Sequence, residues 1–202
     1  MKNGEIKTNH QETTQARLMP RSEFMKTGGR TAALLVLGTA AANCSDKGET
    51  MDRKLRFATL AEASKELDAL EKAKEVKLAG AWSVYKVLSH CAQSIEFSLS
   101  KFPKYRAAIF RNTVGKIAFS VFNSRGYMSH NLNEVIPGAP EIKNEGDVKE
   151  ALARLRKAMA DFETHSGEYG AHFVFDKLSK AEYERAHAFH IANHLSAMEF
   201  VS

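Results

Sequence analysis

The stretch ERAHAFHIANHLSAM, residues 184–198, carries three histidines within eight residues and, from Ala186 to Met198, no Asp, Glu, Lys or Arg. A helix without charge over that length offers no face to water, so it reads as a helix built for burial. Residues three, four and seven apart share a helix face, and His187, His190 and His194 meet that spacing. His190 and His194 are one turn apart, so their rings can converge on a point. His187 and His194 are two turns apart, roughly 10 Å of rise, too far to share one ion easily.

The segments around this helix share its 3.6-residue period. Thr59 and Glu62 stand at capping-box spacing before Leu60, Ala63, Leu67 and Leu70, a helical stripe in a region that Gly80 closes. AWSVYKVLSHCAQSIEFSLS predicts a helix over about 82–100 with Trp82, Leu88, Ile95 and Leu99 as core candidates; Pro103 stops it. A further helical stretch runs from about Tyr105 to Asn123, loosened at Gly115. Residues 124–146 form a long turn-rich connection with Pro137 and Pro140. Asp147 and Glu150 then open a helix whose stripe is Val148, Leu152, Leu155, Met159 and Phe162. Ser179 and Glu182 open the last helix, expected to run to about Phe200. No strand alternation stands out. The reading is all-α: four long helices, an accessory helix, and a long crossover between the second and third long helices, which lets those two run parallel.

Burial among apolar residues lowers the pKa of histidine, and the neutral ring is the metal-binding form. A helical pair supplies two ligands and a stable site usually needs a third. His90 is the candidate, since it too lies on an otherwise apolar helix. The spacing alone leaves a second reading open: core histidines hydrogen-bonded to one another, to Ser94, to Asn193 or to backbone. His172, before the last helix, and His130, in the long connection, read first as loop histidines that could reach the mouth of a site. Glu96 is six residues past His90, about 240° round the helix, so it points elsewhere and no general base is evident.

The N-terminal region reads as an export signal, residues 1–42, followed by a flexible linker, 43–56, and the helical domain, 57–202. Arg21, Lys26 and Arg30 form a basic region before the uncharged run Thr31–Ala42, and Ala40 and Ala42 supply a small-x-small cleavage pattern. RSEFMK, residues 21–26, is similar to the twin-arginine translocation signal, with Ser22 where the second arginine belongs. That places the domain in the periplasm or cell envelope. Asn43 argues against lipid anchoring at Cys44, and Cys91 reads as a small buried hydrophobe.

The 202-residue chain is 44% hydrophobic and carries a net charge of +5, of which the leader holds +3. The remaining domain is nearly balanced, so its charge does not call for nucleic acid, and it contains no segment long enough to cross a membrane. Phe97 to Asn133 holds six Lys/Arg, seven aromatics and no acid. Arg106, Arg111 and Lys116 fall about 140° apart in steps of five, so they form no single basic stripe, and the region reads as an amphipathic accessory helix.

HCAQSIEFSLSKFP (90–103), VGKIAFSVFNSRGYMSHNLNEVIPGAP (114–140) and KAEYERAHAFHIANHL (180–195) together resemble the DinB-like four-helix superfamily, and within it the uncharacterised branch called domain of unknown function 1569. The resemblance covers residues 55–200. It implies an up-down-down-up bundle, with one metal-ligating histidine on the second long helix and a His-x-x-x-His pair on the last. By match these are His90, His190 and His194, holding a divalent ion, zinc or nickel. His187 falls outside the motif and is carried, with Asn193 and His172, as a candidate for bonding to the ligands or the substrate. Similar proteins include thiol-dependent transferases. The expected function is therefore an exported metal-dependent hydrolase or transferase acting on a small molecule. The alternative is a non-catalytic metal-binding or interaction module of the cell envelope. A homodimer is left open.

Overall fold

Leu60, Ala63, Leu67 and Leu70 are all buried, as their spacing requires, and they set the first wall of the core. The computed structural model describes residues 51–201. The expected export signal, 1–42, and the first part of the expected linker, 43–50, lie outside the described residues. The element order is α1 (Leu60–Lys72), β1 (Glu75–Leu78), α2 (Val84–Ser98), α3 (Ala108–Phe110), a π-helical turn (Arg111–Gly115), α4 (Lys116–Arg125), α5 (Val148–Thr164), α6 (Lys180–Leu195) and β2 (Met198–Val201). The described chain is mostly helical, with one short two-stranded sheet.

The caps explain where the helices begin. Thr59 accepts from the Glu62 amide, Ser83 from that of Lys86, and Ser179 and Glu182 complete a reciprocal capping box. Asp147 caps α5 through the Lys149 amide instead of pairing reciprocally with Glu150. The four long helices share one core. Leu67 of α1, Leu88 and Ile95 of α2, Leu155 and Phe162 of α5, and Ile191 and Leu195 of α6 are all essentially without solvent contact. Burying each such side chain contributes roughly 1.5–3 kcal/mol. Helix α2 packs on α5 and α6, and α1 packs on the same two.

The charge-free part of α6, from Ala186 on, has a second cause. Its Ala186 packs into a smaller apolar cluster with Phe119 of α4 and Phe175 of the preceding loop, with Phe122, Met128 and Val174 at its edge. The helix is thus covered by the main core on one side and by the accessory region on another. Gly115, at the end of the π-helical turn, is buried, and a Cβ there would stand 1.9 Å from the Val174 carbonyl oxygen. Only glycine lets the 170s loop approach the accessory helix so closely. Exposed on the outer side of this region are Ile109, Val114, Ile117 and Val121.

Several expectations need correction. The fold is not purely α-helical: Glu75–Leu78 pairs antiparallel with Met198–Val201, Glu75 opposite Val201 and Leu78 opposite Met198. Helix α1 therefore ends at Lys72 and not near Gly80. Helix α6 ends at Leu195 and not near Phe200, because the backbone beyond Ala197 finds partners on the other strand. Four-residue strands are too short for alternation to stand out from a helical pattern. Val148 is exposed, as the first residue of α5 lies beyond the core's edge. Trp82 and Leu99 are only partly buried and pack against the core's margin. The described end of the expected linker is docked. The Arg53 amide donates to the Ser196 carbonyl at 2.9 Å, the Leu55 amide to Ser196 Oγ at 2.9 Å, and the Arg53 guanidinium pairs with Glu66 at 2.7 Å. The π-helical turn ending at Gly115 matches the loosening expected there. No helix among the described residues is long and apolar enough to cross a membrane.

Candidate metal centre

Helix α2 buries Ser89, His90, Gln93 and Ser94 along with its apolar residues, so His90 faces inward toward α6. His190 and His194 lie one turn apart on α6, and their rings meet that of His90. His190 Nε2 is 3.1 Å from His90 Nε2 and 3.1 Å from His194 Nε2. Nitrogens of the three residues all lie within 4.8 Å of one another, a set that could hold a metal ion. The ring centroids are 4.8–5.1 Å apart. Trp82 closes one side, stacked on His194 at 6.0 Å and edge-on to His90 at 5.0 Å.

The rings are held neutral. Desolvation pushes His90 down to about 4, with help from His130 and Lys86. It also holds His190 and His194 well below the ordinary value, reinforced by the neighbouring histidines. Neutral imidazole nitrogens carry either one proton or one lone pair. His190 Nε2 therefore has a single in-plane site with which to serve two contacts at 3.1 Å, and only one of them can be a well-formed hydrogen bond. His194 Nδ1 is buried without a partner as well. Three converging lone pairs suit a cation better than they suit one another.

His187 does not join this set. Ser98 Oγ donates to the Ile95 carbonyl at 2.6 Å, so the 2.9 Å contact between Ser98 Oγ and His187 Nε2 is donated by His187. The ring stacks on Tyr183 at 5.5 Å and meets Phe162 edge-on. It bonds to none of the three clustered histidines. His172 is likewise occupied elsewhere: its Nδ1 accepts from the amides of Val174 and Phe175 at 3.1 and 3.2 Å, shaping the loop before α6. Burial pushes both His172 and His187 down to about 3. Asn193 does not bond to the cluster; its Nδ2 donates to the His130 carbonyl at 3.4 Å. Glu96 points away, into a two-bond pair with Arg154 on α5 at 2.6 and 2.8 Å. Cys91 is a free, buried thiol that burial pushes up to about 12, an inert core residue.

His130, expected as a loop histidine that could reach the mouth of the site, lies beside the cluster. Its ring lies 5.2 Å from His190 and 5.3 Å from His194. It arrives on the irregular connection between α4 and α5, where no periodicity announces which way a side chain faces.

A cavity of about 300 Å³ opens beside the cluster, lined by His90, His130 and His190 together with Phe110, Phe122 and Phe175 among other apolar residues. Arg106 and Glu134, paired at 3.6 Å, line it too. His187 and His172 also contribute to its wall. The accessory helix therefore does more than cover α6: its inner face forms much of this cavity.

A family model matches residues 49–200, that of a protein family of unknown function, DUF1569. No curated protein and no solved structure matches the chain.

Proposed function

The chain belongs to the DUF1569 family, and on that premise we propose that it is a metal-dependent enzyme, a hydrolase or transferase of small, largely apolar molecules, built on a DinB-like up-down-down-up four-helix bundle. The observation that carries this is His190 Nε2, 3.1 Å from two other imidazole nitrogens that cannot both satisfy it. His90, His190 and His194 would hold the ion, zinc or nickel by the chemistry of an all-imidazole site. A divalent ion so held supplies Lewis acidity toward a substrate oxygen or thiol. The protein's own contribution is shape and dryness. The helices fix the three rings, Trp82 covers one side, and the cavity lies on the side of His90 and His190. Substrate would enter there, with its apolar body against Phe110, Phe122 and Phe175 and a polar group toward the histidines. The Arg106–Glu134 pair would orient that group. A closed site with no adjoining cavity would instead have favoured a binding module.

The leader pattern from Arg21 to Ala42 supports an exported domain, working in the periplasm or cell envelope. The reading is tested by loading purified protein with zinc or nickel and assaying a panel of small aryl esters, amides and thiol-transfer acceptors. Turnover that disappears in His190→Ala is expected. Full metal occupancy with no turnover and no ligand uptake into the cavity would leave a non-catalytic metal-binding module.

A further inference from the structure

We propose that His130 is a fourth protein ligand to the same ion, a displaceable one carried by the crossover connection, whose place a substrate donor takes at the cavity side. This rests on the metal reading above and adds a residue to it.

Three observations converge. First, the ring spacing toward His190 and His194 fits. A zinc–nitrogen bond of about 2.0–2.1 Å puts imidazole centroids about 3.2 Å from the ion and, at tetrahedral angles, about 5.2 Å from one another. The three helical histidines show centroid separations of 4.8–5.1 Å, and His130 stands at 5.2 and 5.3 Å from two of them. Second, its hydrogen bonding leaves the right nitrogen free. His130 Nδ1 is 2.9 Å from the Asn131 carbonyl, which can only accept, so Nδ1 carries the proton and Nε2 keeps its lone pair. A metal-ligating histidine is usually oriented in this way, with its second ring nitrogen donating to a carbonyl or carboxylate. Third, His130 Nε2 is buried and has no hydrogen-bond partner. A buried polar atom left without a partner is costly, and here a ligand would remove that cost.

His130 differs from the other three in how it is held. Their positions are fixed by helices in the core, and their nitrogens form the tight set from which His130 stands apart. His130 lies between helices α4 and α5, tethered through its carbonyl by the 3.4 Å bond from Asn193 Nδ2. It lines the cavity, as His90 and His190 do. Of four ligands it is the one that can withdraw without unfolding a helix, and its withdrawal opens coordination toward the cavity.

The test uses the full-length protein titrated with cobalt(II) as a spectroscopic stand-in for zinc, and with zinc against a competing chelator. Wild type, His130→Ala, His130→Gln and His90→Ala are compared. The expected result is a four-coordinate cobalt spectrum for wild type that changes in both His130 variants and returns on addition of free imidazole. Zinc affinity in both should fall on the order of 100-fold, at or beyond the upper end of the loss typical of an outer partner. Helical circular dichroism shows that the variants remain folded, and the two substitutions guard against a local collapse in either one. An unchanged cobalt spectrum and zinc affinity in both His130 variants, with binding lost in His90→Ala, overturns the fourth ligand and leaves the three-histidine site standing. A wild-type protein that takes up neither metal overturns the metal reading itself.

Discussion

Neighbouring turns of α6 carry the same residue type, His187 and His194 almost fully buried and His190 half-buried, in opposite hydrogen-bonding states. His187 has partners of its own: Ser98 Oγ accepts a hydrogen bond from its ring N–H, Tyr183 stacks on it and Phe162 meets it edge-on. One turn on, His190 faces two nitrogens with a single bonding site, and His194 keeps a buried Nδ1 without a partner. Burial alone therefore does not distinguish a structural histidine from a ligand. The difference lies in whether the ring nitrogen that meets its neighbours has one matched hydrogen-bond partner, as His187 Nε2 has, or competing ones, as His190 Nε2 has.

The sharpest way to break this comparison is to delete one histidine from each turn. His194→Ala should abolish tight zinc binding, because it leaves only two imidazoles fixed on helices, with His130 displaceable. His187→Ala should leave zinc affinity within about 10-fold of wild type, less than a ligand's removal would cost. Isothermal titration or chelator competition reads both. Comparable losses in the two variants would erase the distinction.

A smaller effect separates the turns by stability. His187→Ala removes a packed ring and leaves Ser98 with one fewer partner, which should cost about 2–4 kcal/mol in urea denaturation of the metal-free protein. The same substitution at His190, which is only half-buried and poorly satisfied in the metal-free state, should cost less. An equal or larger loss at His190 would show that the cluster is a structural network without its ion.

The smallest expected effect is on pH dependence. His172 and His187 stand at about 3 in the folded chain against an ordinary value of 6.5, lowered mainly by burial. Below 6.5 the unfolded chain binds protons that the folded chain refuses. The stability that these residues contribute is therefore whole above about 6.5 and is lost as pH falls toward 3. The urea midpoint of metal-free protein should be lower at pH 5 than at pH 7, and part of that slope should vanish in His187→Ala. A midpoint flat between those values would mean that these rings are solvated.

The helical core was largely legible from the chain. The spacing of Leu60, Ala63, Leu67 and Leu70, and of Leu152, Leu155, Met159 and Phe162, announces buried helix faces, and all eight are buried. His190 and His194 could be paired from helical spacing, because a helix fixes direction as well as distance, whereas His90 was added for its apolar helix and by the family resemblance. The failures share a cause. The strands at 75–78 and 198–201 are four residues each, and their pairing depends on a contact across most of the domain. His130 lies on irregular backbone, where sequence gives no facing rule, so its reach toward the site could be named as an option but its approach to His190 was not readable. His172 was expected to reach the mouth of the site and does line the adjoining cavity, but that its Nδ1 is taken by two amides two and three residues away was not readable. Local hydrogen bonds of that kind leave no periodic trace.

The central claim is that His90, His190 and His194 hold an ion, and metal content measures it most directly. Purified protein, incubated with zinc or nickel and freed of excess, would be assayed by elemental analysis beside His90→Ala treated in the same way. The account predicts about one ion per chain in the wild type and essentially none in the variant, both retaining helical circular dichroism. A folded wild type carrying no metal, or a variant carrying as much as wild type, would contradict it.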